Sequence, residues 1–415
     1  MERVETIIIG GGQAGLAVSY YLQMQRQEHL ILEKADRPAH VWQQERWDSF
    51  TLVTPNWTVR MPGGAYQGND PHGFMPRQEV AAYFEHYVQR YQLPIQYGVR
   101  VTALQPIPDA SGYRVTTDQE TYLASQVVVA TGLFQRPKIP AYASGLASDI
   151  LQLHSSEYRH PQAIPPGAVL VVGSGQSGCQ IAEELYQSGR RVYLCVGSAG
   201  RAPRRYRGKD IFDWLYLAGF FDRTVDKLPS PRAKFAGNPQ LSGKNGGHAL
   251  DLHQFARDGV KLLGRIRGGQ DGQISIAPGL HESLAKVDKF EADLLKMIDE
   301  YILKAGLDAP EETIPQLRDG YEGDTEEIRE LNFRSADVST VIWAAGYSFD
   351  FSLVKLPVTD NDGYPIQRRG VTQYPGLYFV GLPWMYKYKS GLLIGVEEDA
   401  EFIAAQISPN ARPAS

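Results

Sequence analysis

The chain has 415 residues, with 42 Lys and Arg against 47 Asp and Glu and a formal charge of −5. At about 150 residues per domain that is room for two or three domains, and the acidic balance argues against a nucleic-acid partner, whose binding rests on neutralising phosphates. Mean hydropathy is −0.32, no apolar run nears the ~18 residues that span a bilayer, and Cys179 and Cys195 alone cannot build a disulfide framework or a Cys-x-x-Cys redox pair. Ile7 to Ile9 follow Met1 so closely that no signal peptide fits, so a cytoplasmic location is expected.

Taken in order, the first predicted element is a strand over 4–9 that breaks into G-x-G-x-x-G at Gly10, Gly12 and Gly15, with Gln13 and Ala14 between. A helical period (Ala14, Val18, Tyr21, Leu22) and a second strand, Leu30-Ile31-Leu32-Glu33, follow. The physics of this turn asks for a tight bend at the first glycine, close approach of backbone to pyrophosphate at the second and helix–strand contact at the third. It also asks for an acid at the end of the next strand to take the ribose hydroxyls, and Glu33 stands there. The site therefore takes a nucleotide with a free 2′-OH, either NAD or the ADP half of FAD. Lys34, Val101, Gly381 and Leu392 complete the set expected to touch it, and Trp42 and Trp47 either flank it or lie in the core. A loop rich in Pro, Gly, Asn and Asp spans 52–77.

A strand over 127–129 ends in Ala130-Thr131-Gly132. The glycine pattern then repeats, from a strand over 169–172 into Gly173, Ser174, Gly175, Gln176, Ser177 and Gly178, with Ile181, Ala182 and Leu185 in helical period. Here the following strand, 192–196, ends without an acid, in Gly197 and Ser198. Instead Arg201, Arg204, Arg205, Arg207 and Lys209 crowd together. Arginine at this position lets such a fold accept NADPH; NADH is the alternative, and the cluster can also be a solvated basic loop. Beyond a loop-rich stretch, a long helix is predicted over 284–304, with Val287, Phe290, Leu294, Ile298 and Ile302 on one face and Gly306 after its end. It serves packing or a contact in a homodimer. A strand over 340–343 ends in Ala344-Ala345-Gly346, mirroring 127–132, and a third strand covers 377–380. Ser390 to Ile394 is expected to open the last helix, its dipole facing a flavin.

The fold class expected is α/β, with two Rossmann-like dinucleotide-binding domains, the second inserted into the first. The boundaries are 1–155 for the first part of an FAD domain, 160–340 for an NAD(P)H domain with an insert at 210–335, and 341–415 for the second part. FAD in the first turn and NADPH in the second is the economical assignment, since hydride then passes from nicotinamide to flavin. Ala130, Thr131 and Gly132 go with the FAD site, Ala345 and Gly346 with the NADP site. No spacing of residues suits a metal.

These glycine clusters and strand ends resemble the class B flavin-dependent monooxygenases: flavin-containing, YUCCA-type and Baeyer–Villiger enzymes. The group's F-x-G-x-x-x-H-x-x-x-W/Y pattern is met in its second half by His154 and Tyr158, while Ser148 and Ile150 replace Phe and Gly. The 42–50, 53–57 and 153–159 stretches look closer to bacterial oxidoreductases encoded beside a nitrilase. The resemblance implies oxygen insertion into a small molecule through a flavin C4a-(hydro)peroxide shielded by bound NADP⁺, with O₂ and a heteroatom or carbonyl compound as partners. A hydride-only oxidoreductase or NAD(P)H oxidase is the alternative, and a nucleotide sensor that binds a partner through the insert is a third reading. Asn56 is either the residue that hydrogen-bonds the reacting oxygen or a turn residue. His154 and Tyr158 either support the hinge between domains or are satisfied core residues.

Overall fold

The computed structural model describes residues 1–237, 239–315 and 326–407. From the N-terminus come β1 (Glu2–Ile9), α1 (Gln13–Met24), β2 (His29–Glu33), α2 (Arg77–Tyr91), β3 (Ile95–Tyr97), β4 (Val101–Pro106), β5 (Tyr113–Thr117) and β6 (Thr121–Val129). They form one sheet in the order β3-β2-β1-β6-β5-β4. β1 lies parallel to β2 and β6, with Ile7, Ile8 and Ile9 opposite Val127, Val128 and Val129. All six of these residues are at most 4% exposed. A parallel strand covered on both faces reads as an unbroken apolar run, which is why these segments show no alternation.

The chain then leaves for a second sheet: β7 (Leu151–His154), β8 (Ala168–Val172), α3 (Gln176–Gln187), β9 (Val192–Cys195), β10 (Lys261–Leu263), α4 (Leu280–Ala305) and β11 (Val338–Trp343). Its order is β7-β11-β8-β9-β10, parallel throughout. Leu151–His154, on the first side of the boundary expected at 155, thus pairs with the second sheet. The described residues of the 210–335 segment join the second sheet. They supply the edge strand β10, the short helices Ile211–Leu217 and Leu252–Arg257, and a small antiparallel sheet.

α4 runs longer than expected and ends at Gly306, whose φ of +63° is the left-handed cap that glycine favours. Leu284, Val287, Leu294, Ile298 and Ile302 are buried, but Phe290 is 38% exposed and Glu291 takes the inward position. An ion pair described below explains that inversion.

The chain returns through β12 (Leu377–Phe379), parallel to the tip of β6, and the described residues close with α5 (Val396–Ile407), packed on α1. The last α-helix therefore begins at Val396; Tyr388–Gly391 is a separate 3₁₀ turn. At the two crossings between sheets, Arg136–Pro137 pairs antiparallel with Tyr347–Ser348.

Candidate active site

At the first turn Gly10 has φ +109°, and a Cβ there would stand 2.7 Å from the Ala130 carbonyl oxygen. A Cβ on Gly15 would fall 2.0 Å from the Gly10 oxygen, so helix and strand meet backbone to backbone. Gly12 differs: nothing lies within 4 Å of its Cβ position. The space it opens faces the start of α1, where no side chain caps the helix and no acidic residue occupies the first turn. Bare N–H groups and the positive end of the helix dipole are what a diphosphate requires. Glu33 reaches back to the turn, its carboxylate accepting from Gly11 N at 2.6 Å and Ala35 N at 2.8 Å. The C-terminal part closes over the same helix end. Gln13 Nε2 donates to Gly391 O at 2.8 Å, and a Cβ on Gly381 would lie 2.4 Å from that of Ala14. Leu392 follows directly. Ala130 N–H bonds Ile9 O, Thr131 Oγ1 accepts from Gln135, and Gly132 (φ +73°) opens onto empty space. Lys34 is exposed beside Glu33, and Val101 lies two residues past Val99, whose N–H bonds Glu33 O. Trp42 is half-buried, stacked on Phe84.

The second turn repeats this geometry residue for residue. Gly173 has φ +112° with the Ala344 oxygen 2.6 Å from its Cβ position, Gly178 would clash with Gly173 O at 1.8 Å, and Gly175 is open. α3 likewise starts without a side-chain cap or an early acid. Gln176, in the place of Gln13, donates to Leu241 O of a hairpin, Leu241–Ser242 with His248–Ala249, that covers this helix end. Gln180 donates to the same oxygen, and His248 Nε2 meets the buried Glu183 carboxylate at 2.6 Å, which raises the histidine pKa. Ser177 is half-buried in the first turn of α3. The end of β9 carries no acid. There Ser174 Oγ accepts from Gly197 N at 2.8 Å, and Ser198 is exposed. Ala345 and Gly346 follow β11 at this turn.

Several expected contacts do not form. Arg201 is 4% exposed and its two terminal nitrogens are held by Asp251 (3.0 Å), Asp288 (3.1 Å) and Glu291 (2.7 Å), which commits its charge to these acids. This is the pair that turns Glu291 inward on α4. Arg204 makes two 2.7 Å bonds to Asp210 and a third to Val53 O, so it too is committed. Arg205 remains exposed, donating to Gly246 O at 2.9 Å. Trp47 is 4% exposed in the core beside the second sheet rather than against the first turn. Asn56, also 4% exposed, spends both ends of its amide on its own loop, donating to Asp70 O at 2.9 Å and accepting from Met75 N at 2.8 Å. These bonds are what a turn residue makes. Cys179 and Cys195 are buried and unbridged, and burial pushes the Cys195 thiol up to about 12.

His154 Nδ1 meets Ser156 Oγ at 2.8 Å and Nε2 meets Gly346 O at 3.2 Å, and burial lowers its pKa. Tyr158 donates to Glu184 Oε2 at 2.8 Å, while Ser49 donates to the other oxygen of that carboxylate. These bonds tie β7 to the returning crossing, and α3 to the loop after β2. Sequence reasoning missed the hairpin, because pairing between short loop segments carries no periodic signal.

For Arg201 an expected result follows. Arg201→Met leaves the buried Glu291 and the half-buried Asp251 and Asp288 without their cation and should destabilise the chain by about 3 kcal/mol in urea unfolding. Its Michaelis constants for NADPH and NADH should change equally, which a phosphate ligand would not allow.

Residues 7–211 match the family model described as pyridine nucleotide-disulphide oxidoreductase. Over 406 residues the chain is 35% identical to a CzcO-like oxidoreductase of Geobacillus kaustophilus, covering 97% of this chain and 98% of that one. It is 29% identical over 313 residues to the probable indole-3-pyruvate monooxygenase YUCCA1 of Arabidopsis thaliana, covering 72% and 74%. Among solved structures it shares the fold of the flavin-containing monooxygenase from Stenotrophomonas maltophilia, with TM-score 0.64 and 21% identity over 98% of each chain. With two bare glycine turns, one on a mixed sheet and one on a parallel sheet that interrupts it, and with these relatives, this is a class B flavin monooxygenase-like protein. Within that class the chain belongs to the CzcO-like oxidoreductase family.

Proposed function

We propose that the protein is an FAD-dependent monooxygenase that takes electrons from NADPH and inserts one atom of O₂ into a small organic molecule. The observation that carries this is the duplicated cradle: Gly12 and Gly175 both open onto uncapped helix starts. A flavin supplies hydride acceptance from a nicotinamide and activation of dioxygen. The first turn suits its ADP half, with α1 N–H groups and Gly12 for the diphosphate and Glu33 for the ribose. Gly381, Gly391 and Leu392 wall the same helix end. The second turn suits the pyridine nucleotide. With no acid at Ser198 and Arg205 as the uncommitted cation of the three assigned, NADPH is our assignment and NADH the alternative. The hydrogen bonds of His154 and Tyr158 support our reading of them as supports of the hinge rather than as acid or base. The domains we assign are the first sheet with its C-terminal return and the inserted second sheet.

The test is reduction of purified protein by NADPH without oxygen, followed by ¹⁸O₂ and candidate substrates. Bleaching on NADPH and label in product are expected. Bleaching with hydrogen peroxide as the sole oxygen product would instead establish the hydride-only oxidase, and absence of bleaching would overturn both.

A further inference from the structure

The loop at 52–77 carries a cation that neither turn uses. Arg60 is half-buried, and no carboxylate among the described residues pairs with it. Its guanidinium donates to neutral oxygens, the Trp57 carbonyl at 3.2 Å and the Tyr216 hydroxyl at 3.4 Å. It lies 5.3 Å from the centre of the Trp57 ring and 5.1 Å from that of Tyr216. Beside it the Trp57 indole Nε1 is buried with no acceptor. A buried donor without a partner is unfavourable, and an arriving acceptor would satisfy it.

The position matters as much as the chemistry. Arg60 N–H bonds Leu393 O at 3.3 Å, and Leu392 packs in the same apolar cluster as Trp57. Two residues back, Gly391 accepts from Gln13 at the start of α1. The backbone of Arg60 is therefore tied to the segment that covers the first glycine turn, and its guanidinium lies over Trp57, which shares a cluster with Leu392. Stacking on rings fixes the planar fork of an arginine, and that fork matches the two oxygens of a carboxylate.

We propose that Arg60 and Trp57 Nε1 form a subsite for the carboxylate of an organic acid, whose apolar body packs against Trp57, Tyr216 and Leu392. This names the substrate class for the oxygenation reading above and rests on it, but the test is binding rather than turnover. Calorimetry on the FAD-saturated full chain compares phenylacetate with phenylacetamide, which has the same body without the charge. The acid should bind at least tenfold tighter. Arg60→Met should erase that preference, and Arg60→Lys should keep part of it. Equal binding of acid and amide, binding of neither, or a preference that survives in Arg60→Met would overturn the proposal. Flavin content of each sample checks that the variants fold, and bleaching by NADPH reports separately on the flavoenzyme reading, so the two can fail independently.

Discussion

Gly12→Val should yield a folded protein that leaves purification colourless. The reasoning is steric and local. A Cβ at Gly12 meets no atom of the chain, and the residue's φ of −80° is open to any side chain, so the fold has no cause to object. The volume the new side chain fills is the one a diphosphate needs against the first N–H groups of α1. FAD affinity should fall by at least 100-fold, or about 2.7 kcal/mol, read by flavin fluorescence after dialysis against added FAD. The contrast is Gly15→Val, whose Cβ would lie 2.0 Å from Gly10 O and which should fail to fold. A yellow Gly12→Val protein with wild-type flavin content would remove FAD from the first turn.

Gly175→Val is the matching experiment at the second turn, with the opposite outcome for colour. The space around Gly175 is likewise open and its φ is −74°, so the protein should fold and stay yellow. What it should lose is reduction. The NADPH concentration for half-maximal bleaching should rise by about 100-fold or more, while dithionite reduces the flavin as before. Together the variants separate the two cradles, since each should abolish one function and spare the other. Wild-type bleaching of Gly175→Val would refute the assignment of pyridine nucleotide to this turn.

Much of the frame was legible because parallel strands and glycine turns are local. Ile7 to Ile9 and Val127 to Val129 announce themselves as buried runs, and Gly10, Gly12 and Gly15 act through backbone geometry that no distant residue sets. Gly381 and Gln13 could be marked for the same reason, since both sit at strand or helix ends. The arginines could not be sorted. Arg201, Arg204 and Arg205 look alike in the sequence, but which is spent depends on Asp251, Asp288, Glu291 and Asp210, brought up by loops and by α4. The same holds for Phe290 and Glu291. Helical periodicity puts the phenylalanine inward, and a buried guanidinium outweighs it. Asn56 shows the reverse limit, a residue whose type fits two roles until its Asp70 and Met75 partners are seen. The hairpin over α3 and the Arg60 subsite depend on contacts between distant stretches, which no spacing encodes.

The pairing of β12 with the tip of β6 also sets an order of events at the ribosome. Leu377–Phe379 must emerge before the first sheet can close, and the Gly391 carbonyl before Gln13 has its partner. Every strand of the second sheet has been made by Trp343. Chains generally fold by domain as they are synthesised, so the inner unit can mature on the nascent polypeptide while the outer one waits as two separated halves. The first glycine turn can then be completed only after Gly391 has been made.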